Sequence, residues 1–145
     1  MCRPMLVVAA VLAILLASSP AHAQEWRPST SEMPTMPRID EMTGAWTNSR
    51  AVWFSGVESI SGIAPSQLRP VGEGRGATAQ VVRFNNGPAP VMVWQDRNGD
   101  GRADIVEIFR GGGVMVQVID ADYDGQANVL RRYDSGGALL REERL

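Results

Sequence analysis

The 145-residue chain contains no lysine, one cysteine and one histidine. All 14 of its basic residues are arginine, against 16 Asp and Glu. Cys2 and His22 both fall between Met1 and Ala23, a segment with the pattern of a secretory signal peptide. Without that segment no thiol, imidazole or primary-amine side chain remains. This excludes disulfides, thiolate and imidazole metal ligands, Cys and Lys nucleophiles and His-based triads. Carboxylates, hydroxyls, guanidinium groups and backbone are left to carry any chemistry.

The N-terminal segment has three parts. Arg3 supplies a positive start, Met5 to Ala17 is an uncharged apolar run, and Ala21-His22-Ala23 places small residues at −3 and −1 of a cut before Gln24. The run is too short for the ~20 residues of a bilayer-spanning helix, and Ser18-Ser19-Pro20 interrupts it. The expected product, Gln24 to Leu145, has no membrane span and is periplasmic or secreted from a bacterium. Removing Arg3 from the 14 basic residues leaves 13 against 16 acids, a net charge of −3 with no polybasic footprint for nucleic acid.

Gln24 to Thr43 is rich in Pro, Ser, Thr and Met, with Pro28, Pro34 and Pro37. Each proline removes a backbone donor and holds its predecessor extended, so a flexible tether is expected. A β-repeat domain is expected over 44–145. Its first part, Gly44 to Val57, carries Trp46, Val52, Trp53 and Phe54, a composition that predicts one or two strands. Ser59 to Pro70 reads as a loop in which Pro65 to Leu68 can form one helical turn.

From Val71 onward the chain repeats. Asp96 to Asp104 aligns with Asp120 to Asn128, placing Asp100-Gly101 over Asp124-Gly125. The period is about 24 residues, the scale of one supersecondary unit in stacked repeats. The register continues through Ile105 and Val129 to Phe109 and Tyr133, and each aromatic precedes a glycine turn. An earlier, degenerate copy has Phe84 about one repeat before Phe109, and its loop, Val71 to Gly76, lacks the aspartates. Apolar runs of strand length between Asn-Gly and Gly-Gly turns predict hairpins. The units, about 71–95, 96–119 and 120–145, predict an all-β antiparallel meander of about six strands. Both acidic loops would lie at one end of the sheet and the glycine turns at the other.

The first loop has calcium-ligand spacing. Asp96, Asn98 and Asp100 occupy positions 1, 3 and 5, Gly101 the sharp turn at 6, the Arg102 carbonyl 7, Asp104 9 and Glu107 12. The second loop has Asp120, Asp122, Asp124, Gly125 and Asn128 at the matching places, but Arg131 at position 12. A cation there cannot ligate, although it can neutralise an empty loop by pairing with the aspartates. The same Asp, Asn and Gly residues also make good turns through local side-chain hydrogen bonds, and that reading stands beside the first.

These loops resemble the Asp-x-Asn-x-Asp-Gly-x-x-Asp segments of EF-hand and dockerin-type proteins. The repeated unit resembles the tandem EF-hand-like repeats of secreted bacterial proteins, well over Asp96 to Leu145 and poorly before it. The resemblance implies calcium as the bound ion. The flanks read as strands, so the helix-opening switch of EF-hands is not implied. The expected function is an exported, non-enzymatic module with one strong and one weaker structural calcium loop, with affinity of about 10⁻⁴–10⁻³ M. The alternative is an envelope module that contacts a protein or glycan through the sheet face or through Trp46, Trp53 and Trp94, its acidic loops serving only as turns. Hydrolysis by paired carboxylates is the remaining catalytic option, and no substrate cleft is implied for it.

Overall fold

The structure is a computed structural model describing residues 25–48 and 50–145; the expected signal segment and its cleavage point lie outside the described residues. Among the described residues, seven strands form one sheet: β1 (Arg69–Glu73), β2 (Val81–Asn86), β3 (Ala89–Gln95), β4 (Ile105–Arg110), β5 (Gly113–Ile119), β6 (Val129–Tyr133) and β7 (Leu139–Arg144). Their order in the sheet is their order in the chain, and every neighbouring pair is antiparallel. This is the expected meander with one additional strand. β1 takes Val71 to Glu73 out of the expected first loop, because Arg69–Glu73 pairs along the outer edge of β2.

The repeat is visible in the backbone. β2, β4 and β6 start at Val81, Ile105 and Val129, one repeat apart each time. Register shifts recur at Phe84/Asn85, Ile108/Phe109 and Arg132/Tyr133. Phe84 therefore shares its register with Ile108 and Arg132, one position away from the alignment with Phe109 expected from aromatic type. The shared property is position: the residue before each bulge lies on the core-bearing side of the sheet, and all three are buried.

One face of the sheet buries Val82, Phe84, Met92, Trp94, Val106, Ile108, Val116, Val118 and Leu130. Two helices cover it, α1 (Gly44–Asn48) and α2 (Ala51–Ser61), replacing the strands expected over 44–57. Aromatic and β-branched composition pointed to strands, but the spacing decides otherwise. Trp53, Phe54 and Val57 share one side of a helix and are buried, while Val52 is exposed. α2 lies close to β4 because Gly56 has no side chain; a Cβ there would stand 2.7 Å from Ile108 Cδ1 and 2.6 Å from the Trp26 ring. The helix stops at Gly62, in the left-handed region at φ 73°, whose N–H donates to the Glu58 carbonyl. The expected turn at Pro65 is present as a 3-10 turn, Pro65–Gln67. The aromatics form one cluster, with Trp46 stacked on Phe84 at 5.7 Å and Trp94 edge-on to Phe84 at 5.0 Å.

The segment expected to be a flexible tether is instead a strap laid across the loop end of the sheet. Its first residues are anchored by charge. Arg27 pairs with Glu143, Glu25 lies 3.3 Å from Arg132, and Arg132 donates to the Trp26 carbonyl at 2.9 Å. Three backbone clamps follow. Met33 N–H donates to Gly125 O and Ala127 N–H to Ser31 O; Met36 N–H to Gly101 O and Ala103 N–H to Pro34 O; Ile39 N–H to Ala77 O and Ala79 N–H to Pro37 O. Successive clamps, at Met33, Met36 and Ile39, fall on successive copies of the repeat.

The geometry explains the match. Equivalent loops are two strands apart, about 9.6 Å. A step from Met33 to Met36, at a polyproline-II rise of about 3.1 Å per position, advances about 9.3 Å. Pro34 and Pro37 sit where only the carbonyl is used, so their missing N–H costs nothing. Met33 and Met36 are buried, each contributing about 1.5–3 kcal/mol.

Candidate metal centre

Both acidic loops sit at the same end of the sheet, between β3 and β4 and between β5 and β6, as the meander requires. Each closes round its first aspartate. Asp96 accepts from Gly99 N–H and Gly101 N–H at 2.8 and 2.9 Å; Asp120 accepts from Asp124 N–H and Gly125 N–H at 3.3 and 2.7 Å. Gly101 and Gly125, at φ 85° and 87°, make the sharp turn that the sixth position requires. The loops are also joined in series: Asp96 N–H donates to Gln80 O, and Asp120 N–H to Asp104 O.

In the first loop, one carboxylate oxygen from each of Asp96, Asp100 and Asp104 lies within 4.8 Å of the others. Oxygens on opposite sides of a calcium ion are separated by about 4.6–5.2 Å, twice the Ca–O distance, so this span fits such an ion. Asp104 is the distinctive member. It is only 1% exposed, one of its oxygens accepts from Arg97 and Asn98 N–H, and the other, Oδ1, is buried with no hydrogen-bond partner. Burial raises the Asp104 carboxyl above the ordinary carboxylate range against the pull of those two N–H groups, and the charges of Asp96 and Asp100 raise it further. Asn98 and Asp100 brace each other, with Asn98 Nδ2 3.3 Å from Asp100 Oδ2, and Asp100 Oδ1 accepts from Arg102 N–H at 2.9 Å. The Arg102 side chain reaches the strap, 3.0 Å from Glu32.

Glu107 does not join this group. It lies on β4 opposite Gln117, and its Oε1 accepts from Gln117 Nε2 at 2.7 Å. Strand geometry places it on the face away from Val106 and the core, so the expected twelfth-position ligand is lost to the sheet.

The second loop brings together Asp120, Asp122 and Asp124, also within 4.8 Å. Here the Asp104 equivalent is Asn128. Its Oδ1 accepts from Ala121 N–H at 2.9 Å, and its Nδ2 donates to Asp122 Oδ1 at 3.0 Å. An amide thus reproduces the turn bond and supplies at the ninth position a donor that Asp104 lacks. Arg131 pairs with Glu142 at 2.7 Å across β6 and β7, so the expected neutralisation of this loop by Arg131 is not made.

Trp46, Trp53 and Trp94 are all buried, so the aromatic contact surface needed by the alternative reading is not presented. Among the described residues no helix is long and apolar enough to cross a membrane. No protein-family model matches this chain, and no curated protein and no solved structure matches it either.

Proposed function

We propose that this chain is an exported, non-enzymatic β-repeat module whose Asp96–Asp104 loop binds calcium as a structural ion. One observation carries the reading: the Asp104 carboxylate, grouped with those of Asp96 and Asp100, is buried and its Oδ1 has no hydrogen-bond partner. An ionised oxygen without a partner in the interior is costly, and a hard cation is the partner that also offsets the two neighbouring charges. Oxygen ligands at this spacing suit calcium, whose coordination is flexible, better than magnesium with its strict octahedron. Asp120, Asp122 and Asp124 form the weaker second site. Export is supported by the pattern of Met1 to Ala23, and the resemblance to secreted EF-hand-like repeats points the same way.

The test is calorimetric titration of the chain from Gln24 with calcium and with magnesium, paired with thermal melts in calcium and in chelator. The expected result is one dominant calcium site, a higher midpoint with calcium, and loss of both in Asp100→Ala. Identical midpoints and no binding heat would remove the ion from this account and leave the loops as turns.

A further inference from the structure

We infer that the strap from Ser31 to Ile39 sets the cation affinity of the Asp96–Asp104 loop, and that ion binding in turn tightens the strap. The inference rests on the calcium reading above. The clamp at the first loop grips Gly101 O through Met36 N–H and Ala103 N–H through Pro34 O, at distances of 2.8 and 2.9 Å. Those two bonds flank Arg102, whose carbonyl stands at the seventh ligand position, and they lie between the ligands Asp100 and Asp104. Glu32 holds the Arg102 side chain on the same strap, and Met36 is buried. The strap therefore immobilises the stretch of backbone that a bound ion needs ordered. A loop already ordered binds with less entropic loss.

Coupling of this kind is reciprocal: whatever factor the docked strap adds to calcium affinity, calcium adds to strap docking. The strap's contacts with the loops are backbone clamps, the Glu32–Arg102 pair, the Ser31–Gln126 hydrogen bond and buried methionine side chains rather than a ladder of strand bonds.

The experiment is amide hydrogen exchange of Met36 and Met33 in the chain from Gln24, with calcium and with chelator, alongside calcium titration of Met36→Ser and Met36→Leu. Calcium is expected to slow exchange at Met36 about five- to tenfold, with a smaller change at Met33 on the weaker loop. Met36→Ser is expected to weaken calcium binding by the same factor and Met36→Leu to restore it, while Asp100→Ala abolishes the calcium effect on exchange. If calcium binds but Met36 exchange is unchanged, the coupling fails and the calcium reading survives. If no calcium binds, both fail. The exchange measurement on the unaltered chain decides the matter even if Met36→Ser does not fold.

Discussion

The two acidic loops share length, sheet position, glycine turn and strap clamp, yet they solve the same electrostatic problem in opposite ways. Both crowd three carboxylates to within 4.8 Å of one another. In the loop at Asp120 the ninth residue is Asn128, whose amide donates to Asp122. In the loop at Asp96 the ninth residue is Asp104, which keeps the turn bonds and has a buried oxygen with no partner, while the amide stands at the third position, where Asn98 Nδ2 donates to Asp100. The two loops carry the same number of carboxylates and exchange amide and carboxylate between the third and ninth positions, so the ninth position is a carboxylate only in the first.

The largest expected effect tests what the loops have in common. Asp96→Ala and Asp120→Ala each strand two backbone N–H groups and should cost about 3 kcal/mol in urea unfolding, in calcium-free buffer and by similar amounts. Unequal costs would show that the first aspartates do not organise the loops equally. Next comes Asp104→Asn, which gives the first loop the ninth-position amide of the second and leaves it two carboxylates, Asp96 and Asp100. Without metal it should stabilise the protein by about 1–2 kcal/mol and abolish the calcium-induced rise in melting temperature.

The sign with pH follows. The folded Asp104 carboxyl titrates above the ordinary value of 3.8, so the folded state holds its proton more tightly than the unfolded chain does. That contribution to stability is fully present below pH 3.8 and is lost as pH rises through the raised folded value. In chelator, the unaltered chain should show this loss in its denaturation midpoints and Asp104→Asn should lack it.

Asn128→Asp is the converse exchange. It should cost about 1 kcal/mol without metal, through the lost bond to Asp122, and strengthen the calcium response of the second loop, measurable by titration. The smallest effect concerns Tyr123, the one non-glycine residue with positive φ among the described residues, at 61°. Its counterpart one repeat earlier is Gly99, at φ 77°. Tyr123→Gly should stabilise by about 1 kcal/mol and Gly99→Ala should destabilise by a similar amount, both read from chemical denaturation. Calcium response should be unchanged in the tyrosine variant.

Most of the sheet was legible from residue order because its signals are local. Strand-length apolar runs and glycine turns recur once per repeat, and hairpins connect neighbours, so a meander follows. The three aspartates of the first loop and the Gly101 turn were legible for the same reason: a ligand loop is a contiguous stretch. Three features were not. Glu107 fits the twelfth position by counting, but the strand that begins at Ile105 gives its side chain to Gln117. Gly44 to Ser61 has strand-forming composition, yet it faces the finished sheet, where the i, i+1, i+4 grouping of Trp53, Phe54 and Val57 buries more as a helix. The strap was hidden because a period of three matches neither helix nor strand. Met33, Met36 and Ile39, with prolines between them, were its signal, and only a partner with a repeat of about 9.6 Å gives that signal meaning.

The residues by themselves determined the repeat, the meander and the acidic loops, since each depends on neighbours in the chain. They also determined that, once Cys2 and His22 are set aside, no thiolate or imidazole ligand is left beside the oxygen ligands suited to a hard cation. Tertiary structure decided which carboxylate is buried without a partner, that the aromatics form a core rather than a contact face, and that the proline-rich segment ties the loops together. Those outcomes depend on groups far apart in sequence, such as Glu32 with Arg102 and Trp26 with Arg132. Burial and distance between such groups exist only after the sheet has formed.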